Sequence, residues 1–168
     1  MGSSVDIILA VLAASFVVYY IVQTLRKKKS FADPTDMVVT VADVEKVLDA
    51  VKSSAKVEVF AVFLIPSERG TKEDGLPSIE FSMENGVVGI DYVLLSKENV
   101  ARRHEFVELA VSRGHHISEH EMASVPYLRV EDGNLSALLR AALTDVFGVH
   151  EKDNLSIVLE GVDYASIA

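Results

Sequence analysis

Three of the five histidines of the chain lie in one short segment, residues 115–121 (HHISEHE). In a helix, His116 and His120 would share a face and could chelate one metal ion, as paired histidines do in zinc proteases. In a strand, the same two side chains would lie about 13 Å apart, which is too far for one ion. We interpret the segment as a strand, because Gly114 ends the preceding helix and the segment lacks helical apolar spacing. We therefore predict no metal site, and His116 and His120 are the candidates if the segment is helical.

Two further patterns match catalytic motifs only in part. The segment 104–108 begins like the zinc-binding helix of metalloproteases, but Glu108 stands where the second histidine is needed. Asp145, His150 and Ser156 are the residue types of a catalytic triad, but the chain has no G-x-S-x-G sequence that would expose such a serine. No phosphate-binding glycine loop is present either. We predict no catalytic residue and no cofactor.

The elements that carry these residues indicate one α+β domain over residues 40–168. Asn85-Gly86 joins two strand-like runs and predicts a hairpin, since both positions of its turn need positive φ. The predicted order is α-β-β-β-α-β-β-α-β, with a mostly antiparallel sheet. The predicted ranges are helix 41–53, strand 57–65, strands 78–84 and 87–95, a helix from Ser96 or Asn99 to 113, strands 116–122 and 127–130, helix 134–147 and strand 155–162.

The first 29 residues have the pattern of a transmembrane anchor. Residues 7–22 form an apolar run of sixteen residues. Extended to Val5 and Leu25, the span has 21 residues and is about 31 Å long as a helix, which matches the roughly 30 Å hydrocarbon core of a bilayer. Tyr19 and Tyr20 stand where one membrane interface should lie. Four basic residues follow the span and complete the predicted interface: Arg26, Lys27, Lys28 and Lys29. The alternative is that residues 7–22 form a buried core helix.

The basic residues also predict the orientation of the anchor. A cleaved signal peptide has its positive charges before the apolar run, whereas here they follow it. The positive-inside rule therefore predicts a single-pass membrane protein with its amino terminus outside and residues 26–168 in the cytoplasm. The predicted organisation is an anchor over residues 1–29, a linker over 30–39 and a soluble α+β domain over 40–168.

Charge and composition exclude several classes of function. Residues 1–29 hold four of the 16 basic and one of the 25 acidic residues, which leaves 12 basic and 24 acidic residues, a net charge of −12, on the rest. So negative a domain repels polyphosphate, which argues against nucleic-acid binding and favours basic protein partners. The absence of cysteine excludes disulfides, cysteine-ligated zinc and thiol catalysis.

The element order over residues 41–147 resembles that of a known group of proteins. Helix, three strands, helix, two strands and helix is similar to the class I chaperones of type III secretion and the related YbjN-like proteins, which are also acidic and of similar length. The resemblance is one of topology alone, and the anchor and the last strand, 155–162, depart from it. It implies a homodimer or a peptide-binding surface.

Three hypotheses of function follow. The first is a membrane-tethered, non-catalytic adaptor or chaperone-like domain, whose partners are the lipid bilayer and another protein. The second is an accessory subunit of a membrane protein complex, in which the span itself packs into the assembly. The third is a metal-dependent hydrolase whose site is assembled from distant residues. We favour the first, because a packed acidic domain on a tether carries no recognisable catalytic motif.

Overall fold

The computed structural model describes residues 37–56, 59–66, 75–163, 165 and 167. Within these residues the chain forms a seven-stranded sheet and four α-helices. The strands are β1 (Met37–Val39), β2 (Phe60–Leu64), β3 (Ser78–Glu84), β4 (Val87–Val93), β5 (Ser118–Met122), β6 (Val125–Val130) and β7 (Leu155–Glu160). The helices are α1 (Val44–Ser53), α2 (Lys97–Ala101), α3 (Arg103–Ser112) and α4 (Leu135–Ala141). A 3-10 turn, Val41–Asp43, precedes α1, and a π-helical turn, Ala142–Val146, follows α4.

The sheet has the strand order β1-β7-β2-β3-β4-β6-β5, and every neighbouring pair is antiparallel. The α+β class and the antiparallel sheet are therefore confirmed. The strand β1 was not predicted. It occupies the last three residues of the predicted linker 30–39. Its pairing with β7 explains this difference, since it buries Val39 opposite Leu155 and shields that edge of the sheet.

The first helical segment shows why the spacing of its valines predicts a helix. One stripe of α1 is buried: Val44, Val47, Leu48 and Val51. The Asp43 carboxylate accepts hydrogen bonds from the Thr40 amide at 3.0 Å and from the Thr40 hydroxyl at 2.8 Å. These bonds lower the pKa of Asp43 and satisfy an amide that the helix leaves without a partner.

The two later helices are each divided. The predicted helix up to 113 consists of α2 and α3, which meet at Arg102. Ser96 is the N-cap, and its hydroxyl accepts a hydrogen bond from the Asn99 amide at 3.0 Å. Asn99 is buried, and its side-chain amide donates to the carbonyl oxygens of Ser78 and Val93. It therefore ties α2 to the ends of β3 and β4, a role beyond helix capping.

The helices cover one face of the sheet, and the hydrophobic core lies between the helices and that face. Tyr92 of β4 stacks on Phe106 of α3, with 4.4 Å between ring centroids, and Phe63 meets Phe81 edge to face. Alternate strand residues point to the other face, where Val62 and Val93 are buried but lie outside the core cluster. The two faces of the sheet therefore have different chemistry.

Two tight turns join the paired strands. Asn85 and Gly86 have φ of 52° and 81°, which confirms the hairpin between β3 and β4. Ala123 and Ser124 join β5 to β6 with φ of 50° and 66°. Both turns have positive φ at both central positions, which matches the twist of the flanking strands.

The predicted membrane span, residues 5–25, and its interface residues lie outside the described residues. Among the residues that the structure does describe, none of the helices combines the length and the apolar character needed to cross a bilayer.

Gly86→Val tests the first turn. Nothing lies within 4 Å of a Cβ added at Gly86, so the cost comes from the positive φ alone. We expect the substitution to lower the free energy of unfolding by more than about 1 kcal/mol, measured by urea denaturation. Gly86→Asn is the control, because asparagine adopts this conformation at little cost. Equal stability of the valine variant and the wild type would contradict the turn.

Candidate functional site

A row of charged side chains crosses the face of the sheet that lies opposite the helices. Glu80 of β3 lies directly across from Asp91 of β4, and Asp91 lies directly across from Arg129 of β6. All three are at most 4% exposed. We call Glu80, Asp91 and Arg129 the charged row.

Arg129 connects the members of this row. Its Nη1 donates to Asp91 Oδ1 and to the Ser82 hydroxyl, both at 2.7 Å. Its Nε donates to Glu131 at 2.6 Å, and its Nη2 donates to the Val87 carbonyl at 3.1 Å. The guanidinium thus joins three strands, and charge-assisted bonds of this kind are the stronger hydrogen bonds of proteins.

Gly89 gives this guanidinium its space. A Cβ at position 89 would lie 2.8 Å from Cζ of Arg129 and 3.0 Å from the Val130 carbonyl oxygen. With any other residue at position 89, either the guanidinium or the backbone of β4 would have to move.

The carboxyl groups of the row are held away from water. Burial, and after it the negative charges of Asp91 and Glu84, raise the pKa of Glu80 well above its ordinary value. Glu80 Oε2 has no hydrogen-bond partner among the described residues. Burial also raises the pKa of Asp91 to about 6, against the opposing effect of Arg129. The raised pKa of Glu80 therefore favours its neutral form, next to the Asp91 carboxyl group that Arg129 holds. A buried carboxyl without a partner is costly as an anion, so the proton stabilises the fold.

A second site is an open groove of about 620 Å³ between α3 and the chain that leads into β5. We call it the β5 groove. Its sides carry both apolar and charged groups, and Val111, at 60% exposed, is one of the large apolar side chains on the surface. The lining residues are Arg103, Val107, Val111, Gly114, His115, His116, Ile117, Glu119 and Leu128.

The histidines at one end of the groove are held by Asp132. His115 is buried, and its Nδ1 lies 2.8 Å from the Asp132 carbonyl oxygen. His116 is exposed, and its Nδ1 lies 2.9 Å from Asp132 Oδ2. The hydrogen bond with the His116 side chain is the main reason that the pKa of Asp132 is lowered. These bonds fix the path of the chain from α3 into β5.

The structure separates the two candidate metal ligands. His120 lies within β5 and His116 precedes it, which confirms a strand over Ser118–Met122. His120 Nε2 lies 2.8 Å from the Ser118 hydroxyl, and its ring stacks on Tyr127. In the part of the chain that is described, no three histidine, aspartate or glutamate side chains are grouped to hold a metal ion.

The other residue sets considered from the sequence are also separate. His104 pairs with Glu108 at 3.1 Å on an exposed face of α3. Asp145 pairs with Arg113 at 3.8 Å, whereas the His150 amide donates to Asp153. Ser156 lies in β7 between β1 and β2. The structure thus does not assemble Asp145, His150 and Ser156 into a triad.

Among the residues that the structure describes, β5 is an edge strand with one side unpaired. Met122 and Val125 close a two-residue hairpin, so residues 118, 120 and 122 exchange hydrogen bonds with β6. The alternate residues, Glu119 and Glu121, point their backbone amides and carbonyls away from β6. Pro126, opposite Glu121, has no amide hydrogen, which agrees with this pattern.

The free edge of β5 and the β5 groove lie next to each other. Glu119 lies opposite Leu128, a core residue, so its side chain is on the same face of the sheet as the helices. There it pairs with Arg103 of α3 at 2.5 Å. A strand placed along this edge would therefore extend side chains toward α3 on one face.

Sequence reasoning missed both the charged row and the groove. A signal for the row was present, because Glu80, Ser82 and Glu84 alternate with apolar residues along the predicted strand 78–84. The partners of these residues on β4 and β6 depend on strand order, which the sequence does not show. The groove depends on how α3 packs beside β5.

Comparison with models of known protein families, with curated proteins and with solved structures found no match. The resemblance to class I secretion chaperones therefore stays a prediction.

Glu80→Gln tests the protonation of the charged row. The folded-state pKa of Glu80 is raised, so its contribution to stability is fully present below the unfolded pKa, about 4.3, and is lost as pH rises through the folded pKa. Glutamine cannot ionise. Because stability is lost as pH rises from the unfolded pKa toward the raised folded pKa, we expect the free energy of unfolding of Glu80→Gln to rise relative to the wild type over that interval, by up to about 1.4 kcal/mol per pH unit.

Asp91, whose pKa is about 6, titrates in both the variant and the wild type, so the difference between their stabilities mainly reports Glu80. The other charged groups near Glu80 are Glu84 and Arg129. Glu160→Gln, on the exposed end of β7, is the control and should show no such trend. A pH-independent difference between Glu80→Gln and the wild type would mean that Glu80 is ionised in the fold.

Proposed function

We propose that this chain is a membrane-tethered, non-catalytic protein-binding domain that receives an extended segment of a partner along the free edge of β5. The observation that carries the proposal is the position of this edge beside the β5 groove. Unpaired main-chain groups of an edge strand can bind an added strand, and pockets beside it select alternate side chains. Here the main-chain groups are those of Glu119 and Glu121, and α3 supplies the wall of the groove.

The chemistry of the groove supports binding rather than catalysis. Val107 and Val111 of α3, with Ile117 just before β5 and Leu128 of β6, give it an apolar lining. The strongly perturbed carboxyl groups, Glu80 and Asp91, belong to the charged row on the opposite face of the sheet. The groove therefore combines apolar contact area with the outward-facing backbone groups of β5.

The tether is proposed from the sequence pattern of residues 5–25 and the basic residues that follow it. Under the positive-inside rule, their order favours a cytoplasmic position for the domain. A domain held there would meet partners that are themselves membrane-bound or that pass near the membrane surface.

Protease protection tests this orientation. Protease added outside intact cells should leave residues 30–168 whole, because the bilayer shields them. The same protease should digest them after the membrane is permeabilised, which is the control. The readout is immunoblotting with an antibody to the domain. Digestion of the domain in intact cells would reverse the proposed topology.

Glu121→Pro tests the binding edge. Proline removes the outward amide of residue 121 and is tolerated on the open side of an edge strand. Peptides selected from a random display library on the full chain in lipid nanodiscs are the probes. We expect Glu121→Pro to weaken their binding about tenfold, through the lost main-chain hydrogen bond and the clash of the ring with an added strand.

Glu121→Thr is the matched control, because it removes the same charge and keeps the amide. It should bind the neutral peptides of the selection as the wild type does, and circular dichroism checks that both variants fold. Equal binding by the proline and threonine variants would contradict strand addition at β5.

A further inference from the structure

The side chains along the free edge of β5 specify what kind of segment it can accept, if the proposed function holds. Glu119 lies opposite Leu128, so its side chain is on the face of the sheet that bears α3. Every second residue of a strand points to the same face, so the side chain of Glu121 is on that face too. Ile117 precedes them with the same spacing and packs against the core. The edge therefore presents one apolar residue and two carboxylates in a line.

Both carboxylates are accessible to a partner. The Glu119 side chain is 74% exposed although it pairs with Arg103, so it retains open acceptor positions. Glu121 is exposed and has no ion-pair partner among the residues that the structure describes. Residues directly opposite each other on paired strands interact by about 0.2–1 kcal/mol, favourably for opposite charges and unfavourably for like charges.

A second copy of this chain is a poor occupant of this edge. Antiparallel pairing of two β5 strands about a twofold axis at residue 119, 120 or 121 brings glutamate opposite glutamate in each case. Such pairs oppose association. A homodimer, which the resemblance implies, would have to use another surface.

We infer that the free edge of β5 takes an extended basic segment with the pattern basic-x-basic-x-apolar, running antiparallel to β5. The two basic residues would lie opposite Glu121 and Glu119. The apolar residue would lie opposite Ile117, at the part of the groove that Val107 and Val111 line. Antiparallel addition is chosen because it is the more stable of the two pairings per residue. The partner is thus a protein segment rich in lysine or arginine at alternate positions.

Three synthetic peptides test this pattern against the full chain in nanodiscs of neutral lipid. The first alternates threonine with lysine, arginine and valine: Thr-Lys-Thr-Arg-Thr-Val-Thr. The second has the same composition but moves arginine next to lysine, so that only one basic residue faces α3. The third replaces both basic residues by glutamate. Fluorescence anisotropy at about 0.15 M ionic strength gives the dissociation constants.

We expect the first peptide to bind severalfold more tightly than the second and at least about tenfold more tightly than the third. The double variant Glu119→Lys, Glu121→Lys should reverse the order of the first and third peptides. Its matched control, Glu151→Lys with Glu160→Lys, changes the net charge equally at exposed sites away from β5 and should keep the wild-type order. Glu121→Lys alone gives a second variant that leaves the Arg103–Glu119 pair in place.

The outcomes separate this inference from the proposed function. Equal binding of the first and second peptides, or no measurable binding of the first, overturns the basic-x-basic-x-apolar pattern. If Glu121→Pro still abolishes binding of the library-selected peptides in that case, the binding edge stands and only its specificity is wrong. If Glu121→Pro affects none of the peptides, the edge itself is not the binding site.

Discussion

The sheet depends on one buried cation. Arg129 lies in β6, yet its hydrogen bonds reach Ser82 of β3 and both Asp91 and the Val87 carbonyl of β4. A buried ion pair is costly to desolvate, and removal of one member leaves the other uncompensated. The register of these three strands is therefore coupled to the contacts of one guanidinium, and Gly89 is the residue that makes room for it.

This coupling extends to the proposed binding surface. Within the described part of the chain, β5 pairs with β6 and with no other strand, so the position of its free edge follows from the position of β6. The hydrogen bonds of Asp132 with His115 and His116 fix the chain just before β5. The charged row and the β5 groove thus share no residues, but they are connected through β6, which carries Arg129 and pairs with β5. The row need not contact a partner to influence where the partner binds.

Local sequence signals were sufficient to predict most helices, strands and turns. They were not sufficient to predict features that depend on contacts between residues distant in sequence. Asn85-Gly86, Ser96 and Gly114 mark a turn, a helix start and a helix end, and the structure confirms each one. β1 has only three residues and exists because β7 offers an edge, which no local pattern reveals. The charged row brings together residues 80, 91 and 129, whose meeting depends on strand order. The groove likewise depends on the packing of α3.

The two edges of the sheet are not equivalent. The described chain enters the sheet at β1, and β5 lies at the other end, six strand spacings of about 4.8 Å or about 29 Å away. Adjacent strands are rotated by about 20–25°, so the axis of β5 is turned by more than a right angle from that of β1. A segment bound at β5 would leave the domain along a different direction from the one by which the chain arrives. The domain would then act as a spacer between the proposed tether and the proposed partner.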